Sequence, residues 1–80
     1  MNTDRKLAKE LFKYQSQSTI KYIMINQKVS LEKATNMWYS SKTKKYLEEH
    51  DMYWVAPSRC YDEFEQEQKN SPYWMTEPFD

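Results

Sequence analysis

The sequence predicts a small all-α domain, a bundle of four to five short helices with a short extended aromatic segment near residues 51–55. The chain has 80 residues, which is the size of a single domain. It contains no glycine, whereas the tight turns of β-hairpins usually need glycine or another residue at positive φ. Apolar residues recur at spacings of three and four along the chain, which is typical of amphipathic helices.

Two helices separated by a polar bend are predicted in the N-terminal third of the chain. The first covers about residues 4–15, and its apolar face comprises Leu7, Leu11 and Tyr14. The polar stretch over residues 15–18 shifts the apolar phase, so we expect the chain to bend or break there. A second helix follows over about residues 18–27, with Ile20 and Ile23 in one register.

Three further helices and the aromatic segment are predicted in the remainder. Helices over about 31–39 and 42–49 each follow a serine, which is a favoured N-cap residue. The short aromatic run at 51–55 is predicted to be extended. Pro57 suits the first turn of a last helix, at about 57–69. We therefore divide the chain into one helical domain at residues 1–70 and an aromatic, proline-containing tail at residues 71–80.

The composition excludes several classes of enzyme. Without glycine, the chain cannot form a Walker loop, a dinucleotide-binding turn or the nucleophile elbow of the α/β-hydrolases. We therefore expect no small-molecule substrate. No segment approaches the ~18 apolar residues of a membrane span, and no signal-peptide pattern is seen at the N-terminus. The missing span argues against a membrane partner. A single cysteine cannot form an internal disulfide, which favours the cytoplasm as the compartment.

The residues that most often carry catalysis or bind metals are scarce. His50 is the only histidine and Cys60 the only cysteine, and nothing in the sequence forms an oxyanion hole for such a pair. Their spacing fits no zinc motif, and the glycine of a calcium-binding loop is missing. We therefore expect no catalytic residue, no cofactor and no metal, and a protein that is not an enzyme.

Charge and aromatic content instead favour a protein partner. Residues 1–45 carry ten basic and three acidic side chains, whereas residues 46–80 carry two basic and nine acidic ones. Large aromatic side chains cluster in the acidic half, and such residues are enriched where proteins bind each other. The predicted contact residues are Tyr53, Trp54, Asp62, Glu63, Glu67, Tyr73, Trp74 and Phe79. The tail either folds back onto the domain or docks on a partner, and a homodimer would reconcile the two.

A nucleic acid is the alternative partner, because residues 30–49 resemble a helix-turn-helix. Ala34 would be the small residue where the two helices cross, and Trp38 lies where the motif usually has glycine. The start of the second helix would face phosphates and base edges. Its predicted contact residues are Ser41, Lys42, Thr43, Lys44 and Lys45.

A second resemblance covers residues 20–67. It is carried by the run from Trp38 to Thr43, by Trp54, by Pro57-Ser58 and by Tyr61-Asp62 with Glu67. With these residues the chain resembles a group of small uncharacterised proteins from Gram-positive bacteria, their phages and their mobile elements. The resemblance implies an all-helical fold and an accessory or regulatory role without enzymatic activity. It implies no mechanism. Separately, an acidic helix beside aromatic residues suits an inhibitor that occupies a basic groove of a host enzyme.

Overall fold

The described part of the chain folds into four α-helices. A computed structural model describes the backbone of residues 2–69 and the side chains of residues 6–69. The helices are α1 (Asn2–Gln27), α2 (Leu31–Tyr39), α3 (Lys42–Glu49) and α4 (Pro57–Lys69), and this part of the chain contains no β-strand. The predicted all-α class is confirmed, and the last three helices match their predicted bounds. The predicted tail at residues 71–80 lies outside the described residues.

The first 27 residues do not form two helices, so the prediction of a bend at residues 15–18 is wrong. Two of the four polar side chains that prompted it, those of Gln15 and Ser16, face the interior of the protein, and each of these two has a hydrogen-bond partner. Gln15 Nε2 donates to the backbone carbonyls of Met52 and Val55, at 3.0 and 2.9 Å. Ser16 Oγ accepts a hydrogen bond of 2.9 Å from Trp38 Nε1. Because buried polar groups are tolerated when they are paired, the helix continues through this stretch.

Two helices end without the glycine that usually occupies the left-handed position after a helix. Lys28 follows α1 with φ of 53°, and Asp51 follows α3 with the same φ. After α3, the Met52 amide donates to the Leu47 carbonyl at 2.8 Å and the Asp51 amide to the Glu48 carbonyl at 3.3 Å. These two bonds form a Schellman motif, which satisfies carbonyls at the helix end and buries Met52 beside Leu47.

The segment at residues 51–55 consists of turns, although the sequence predicted an extended strand-like piece. Met52 and Val55 are buried, and the Val55 amide donates back to the Met52 carbonyl at 3.3 Å. Gln15 is therefore a second donor to the Met52 carbonyl, and it gives the Val55 carbonyl a short hydrogen bond beside the 3.8 Å contact from Cys60 Sγ. The segment is therefore folded tightly against α1, and its aromatic residues do not pair with another strand.

The hydrophobic core lies where α2 and α4 pack against α1. Its largest member, Trp38, is fully buried and meets the ring of Phe64 edge to face, with the centroids 5.9 Å apart. α1 and α4 run side by side in the same direction, since Tyr22 stacks on Tyr61 and, further along both helices, Gln27 hydrogen-bonds to Gln68. This arrangement buries one face of α1 and leaves the opposite face outside.

Candidate interaction surface on α1

The outer face of α1 carries a second row of apolar side chains, separate from those in the core. Leu7 is 58% exposed, Tyr14 63% and Ile25 74%. With three intervening residues they form one row, in which successive members are four, three, four, three and four positions apart. The row, which we call the outer stripe, comprises Leu7, Leu11, Tyr14, Ser18, Lys21 and Ile25.

The spacing of the outer stripe is that of a coiled-coil seam. Alternate steps of three and four residues keep side chains on one side of a helix, where a second helix can pack against them. The stripe spans residues 7–25, or about 27 Å of helix at ~1.5 Å per residue. Four of the six members are large apolar side chains and three of these are more than half exposed, which is typical of a surface that another molecule covers.

The C-terminal part of the outer stripe forms one wall of a surface groove. The groove has a volume of about 330 Å³, and the start of α4 forms its other wall. Tyr22 also lines it, and its ring stacks on Tyr61 with the centroids 6.1 Å apart. The groove is lined by Tyr14, Ser18, Lys21, Tyr22, Ile25, Pro57 and Ser58. An apolar floor with one ammonium group and two serine hydroxyls suits a side chain with an apolar body and a polar or acidic tip.

Two of the predicted contact residues lie in the turn before α4. Trp54 is 70% exposed, so its indole ring is free to contact a partner. Tyr53 is partly buried and meets Phe12 of α1 edge to face, with the centroids 5.7 Å apart. Trp54 is therefore accessible to a partner, whereas Tyr53 packs against α1 and helps to hold the turn there.

The predicted acidic contact face of α4 is largely absent. Glu63 is buried, with its carboxylate 3.2 Å from Nε of Arg59. Glu67 accepts hydrogen bonds from the backbone amides of Lys42 and Thr43, at 2.8 and 2.9 Å. Both carboxylates thus serve the fold, whereas Asp62 is exposed on α4.

The predicted DNA-contact residues at the start of α3 are mostly occupied within the fold. Ser41 is buried, and its hydroxyl caps the helix by accepting from the Lys44 amide at 3.1 Å. Thr43 is fully buried and donates from Oγ1 to Glu67 at 2.8 Å. Lys44 pairs with Glu48 at 2.8 Å and lies 4.6 Å from the centre of the Tyr39 ring. Lys42 and Lys45 are the exposed members.

Glu67 also gives the N-terminus of α3 a carboxylate from within the chain. A phosphate bound at the start of a recognition helix would need the same backbone amides and the same positive end of the helix dipole, and Glu67 already occupies both. Trp38, which sequence comparison with the helix-turn-helix placed at the turn, is instead a core residue of α2. The turn between α2 and α3 is made by Ser40 and Ser41.

Tyr73, Trp74 and Phe79, the remaining predicted contact residues, lie outside the described residues. Their prediction as contact residues is unchanged by the structure.

Cys60 and His50 occupy different environments. Cys60 is fully buried in the core, and this burial raises the pKa of its thiol from 9.0 to about 12. A thiol held in its neutral form is a poor nucleophile. His50 is exposed at the end of α3, with its ring 4.2 Å from that of Tyr46. Among the described residues, no cluster of three or more His, Cys, Asp or Glu side chains could hold a metal ion.

The chain was compared with models of protein families, with curated proteins and with solved structures, and none of the three comparisons found a significant match. The resemblance to small proteins of Gram-positive bacteria therefore stays a prediction. No helix in the described part of the chain has the length and apolar character to cross a membrane.

Sequence reasoning missed the outer stripe because it assigned Leu7, Leu11 and Tyr14 to the buried side of a short helix. The signal that identifies the stripe is the continuation of the same spacing through Ser18 and Lys21. A heptad that runs unbroken through a polar stretch indicates one long helix with two faces.

Proposed function

We propose that the protein acts without catalysis, as a protein-binding module whose contact surface is the outer stripe of α1. The observation that carries the proposal is the exposure of Leu7, Tyr14 and Ile25 in one seam-like row. Their side chains are each more than half exposed, so covering them with a partner removes a large apolar area from water. Trp54 supplies a further aromatic anchor outside the stripe.

The contact surface differs from the one that charge alone favoured. Glu63 is buried and paired with the half-exposed Arg59, and Glu67 is bonded to α3, so neither carboxylate adds to the acidic surface of α4. By contrast, the apolar residues of the outer stripe lie outside the hydrophobic core, and three of the four are more than half exposed. This contrast supports binding through α1 rather than through α4.

Binding of duplex DNA through α3 has weaker support and stays a prediction. Of its five predicted contact residues, only Lys42 and Lys45 are exposed without serving the fold, and two lysines neutralise few phosphates. Glu67 places a negative charge where the DNA backbone would lie.

The test uses matched substitutions at two exposed apolar residues. Immobilised wild type, Ile25→Glu and Leu31→Glu are each incubated with host lysate, with and without nuclease. Ile25 is 74% exposed on α1 and Leu31 60% exposed on α2, so neither change should unfold the protein. We expect wild type and Leu31→Glu to retain the same protein after nuclease treatment, and Ile25→Glu to lose it.

Two results would overturn the proposal. Retention by Ile25→Glu at the wild-type level would show that the outer stripe is not the contact surface. Loss of all retained material on nuclease treatment would instead favour the DNA-binding alternative. Far-ultraviolet circular dichroism of the three proteins checks that each remains helical.

A further inference from the structure

We infer that the occupant of the outer stripe is a second copy of this chain, packed with its α1 antiparallel to the first. The inference rests on the proposed function, because it names the partner of the same surface. It is argued from the register of the stripe, from the sizes of the facing side chains and from the placement of two opposite charges.

When two copies of α1 lie antiparallel, every residue of the outer stripe on one copy faces a residue of the outer stripe on the other. In coiled-coil notation the six residues of the stripe alternate between the d and a positions, beginning with Leu7 at d. Reversing one copy brings a d position of one helix opposite an a position of the other. Leu7 then faces Ile25, Leu11 faces Lys21 and Tyr14 faces Ser18, and the two-fold axis repeats each pair.

The facing side chains are complementary in size. The large ring of Tyr14 lies over the small side chain of Ser18, so the two central layers are filled without a clash between two tyrosines. At each end, Leu7 and Ile25 bring together two branched apolar side chains, which are 58% and 74% exposed in the single chain. Each large apolar residue thus gains a partner that fits it.

The charges select the antiparallel orientation. The alkyl part of Lys21 can lie along Leu11 of the other copy while its ammonium group extends to the edge of the seam. Glu10, which is exposed, is the residue next to Leu11 at that edge. Because the dimer is two-fold symmetric, the pair between Lys21 of one copy and Glu10 of the other occurs twice. A parallel pair of helices would instead place Lys21 against Lys21, which is unfavourable.

The first test measures the mass of the purified chain by sedimentation equilibrium from micromolar to millimolar concentration. We expect wild type and Leu31→Glu to show a reversible monomer–dimer equilibrium, and Ile25→Glu to dimerise at least tenfold more weakly. A wild-type chain that stays monomeric throughout, or an equilibrium that Ile25→Glu leaves unchanged, would overturn the inference.

A charge-reversal pair tests the orientation without removing an apolar residue. Lys21→Glu should weaken the dimer by about tenfold at low salt, because it replaces two ion pairs by two repulsive contacts. Adding Glu10→Lys to the same chain should restore the wild-type constant. Failure of the second change to restore the dimer would contradict the antiparallel register.

Cysteine pairing provides an independent reading of the register. Cys60 is fully buried, so introduced surface cysteines supply the reactive thiols. Under mild oxidation, an equimolar mixture of Leu7→Cys and Ile25→Cys chains should form a mixed disulfide dimer. Ile25→Cys alone should not, because the two copies of residue 25 lie at opposite ends of the pair. Efficient linkage of Ile25→Cys to itself would indicate a parallel pair and overturn the inference.

Failure of this inference can be told apart from failure of the proposed function. A monomeric wild type that nevertheless retains a different protein, and loses it on Ile25→Glu, contradicts only the identity of the partner. If Ile25→Glu changes neither the dimerisation of the chain nor its retention of a protein, the outer stripe is not a contact surface at all.

Discussion

Replacing Glu67 by alanine should lower the free energy of unfolding by about 2 kcal/mol, although Glu67 lies in α4 and its effect is on α3. Its carboxylate accepts hydrogen bonds from the Lys42 amide, the Thr43 amide and Thr43 Oγ1, at 2.8, 2.9 and 2.8 Å. The amides at the start of a helix have no partner within that helix, so a carboxylate from elsewhere satisfies them. Glu67 is thus the link that joins the last helix to the start of α3.

The magnitude follows from the bonds and from their exposure. A hydrogen bond to a charged group contributes about 1.5–3 kcal/mol, and a charge at a partly buried helix end contributes up to about 2 kcal/mol. The three bonds share one partly buried carboxylate that water also reaches, so their sum is far below three separate bonds. We therefore expect a loss of about 2 kcal/mol for Glu67→Ala and about 1 kcal/mol for Glu67→Gln, whose amide oxygen still accepts.

Thermal unfolding followed by circular dichroism measures the effect. For a domain of this size, ~1 kcal/mol corresponds to a fall in Tm of roughly 4–8 °C, so Glu67→Ala should lose roughly 8–16 °C. Asp62→Ala is the matched control, since Asp62 is exposed on the same helix, and it should change stability by less than about 0.5 kcal/mol. Equal Tm values for Glu67→Ala and Asp62→Ala would refute the assignment of Glu67 as the cap of α3.

Three further predictions concern the interior and the helix ends. Gln15→Leu should destabilise the protein by about 1–3 kcal/mol in urea unfolding, because it leaves the buried Val55 carbonyl with only the weak Cys60 Sγ contact and removes one of two donors from the Met52 carbonyl; a loss below about 0.5 kcal/mol would contradict this pairing. Lys28→Gly should stabilise by about 0.5–1 kcal/mol, because glycine adopts positive φ without strain, and a lower Tm would contradict this. Alkylation of Cys60 at pH 8 should be about a thousandfold slower in the native protein than after unfolding, since burial raises the pKa of its thiol from 9.0 to about 12; comparable rates would place the thiol at the surface.

The bounds of α2, α3 and α4 could be predicted because their signals are local. A serine cap precedes each of the first two, and its side chain accepts from the amide three residues on, at Lys33 and at Lys44. Pro57 fixes the start of α4 by its restricted φ. These effects act over three or four residues, so they can be recognised in the sequence without knowledge of the partner elements.

The continuity of α1 could not be predicted in the same way, because it depends on distant parts of the chain. Gln15 can be buried because it hydrogen-bonds to backbone carbonyls 37 and 40 residues further along the chain. Ser16 can be buried because it accepts a hydrogen bond from the indole of Trp38, 22 residues away. Read locally, such residues belong on a surface or in a bend. Once they are placed inside, the apolar row from Leu7 to Ile25 has to lie outside.

The candidate site depended on distant packing in the same way. Trp54 is exposed, and its role as a contact residue stays a prediction. The sequence predicted acidic residues of α4 as contact residues, and it contains no local sign that Glu63 is buried or that Glu67 caps α3. Carboxylates with backbone partners in another helix cannot be told from solvated ones until the helices are packed.

A chemical-shift map tests the use of the outer stripe most directly. Spectra of ¹⁵N-labelled chain are recorded as unlabelled chain is added. Our account predicts that the shifts that change belong to the outer side of α1, around Tyr14 and Ile25, and to Ser58 at the wall of the groove, while those of Leu31 and Lys45 stay constant. Changes centred on α2 and α3 with α1 unaffected would contradict it.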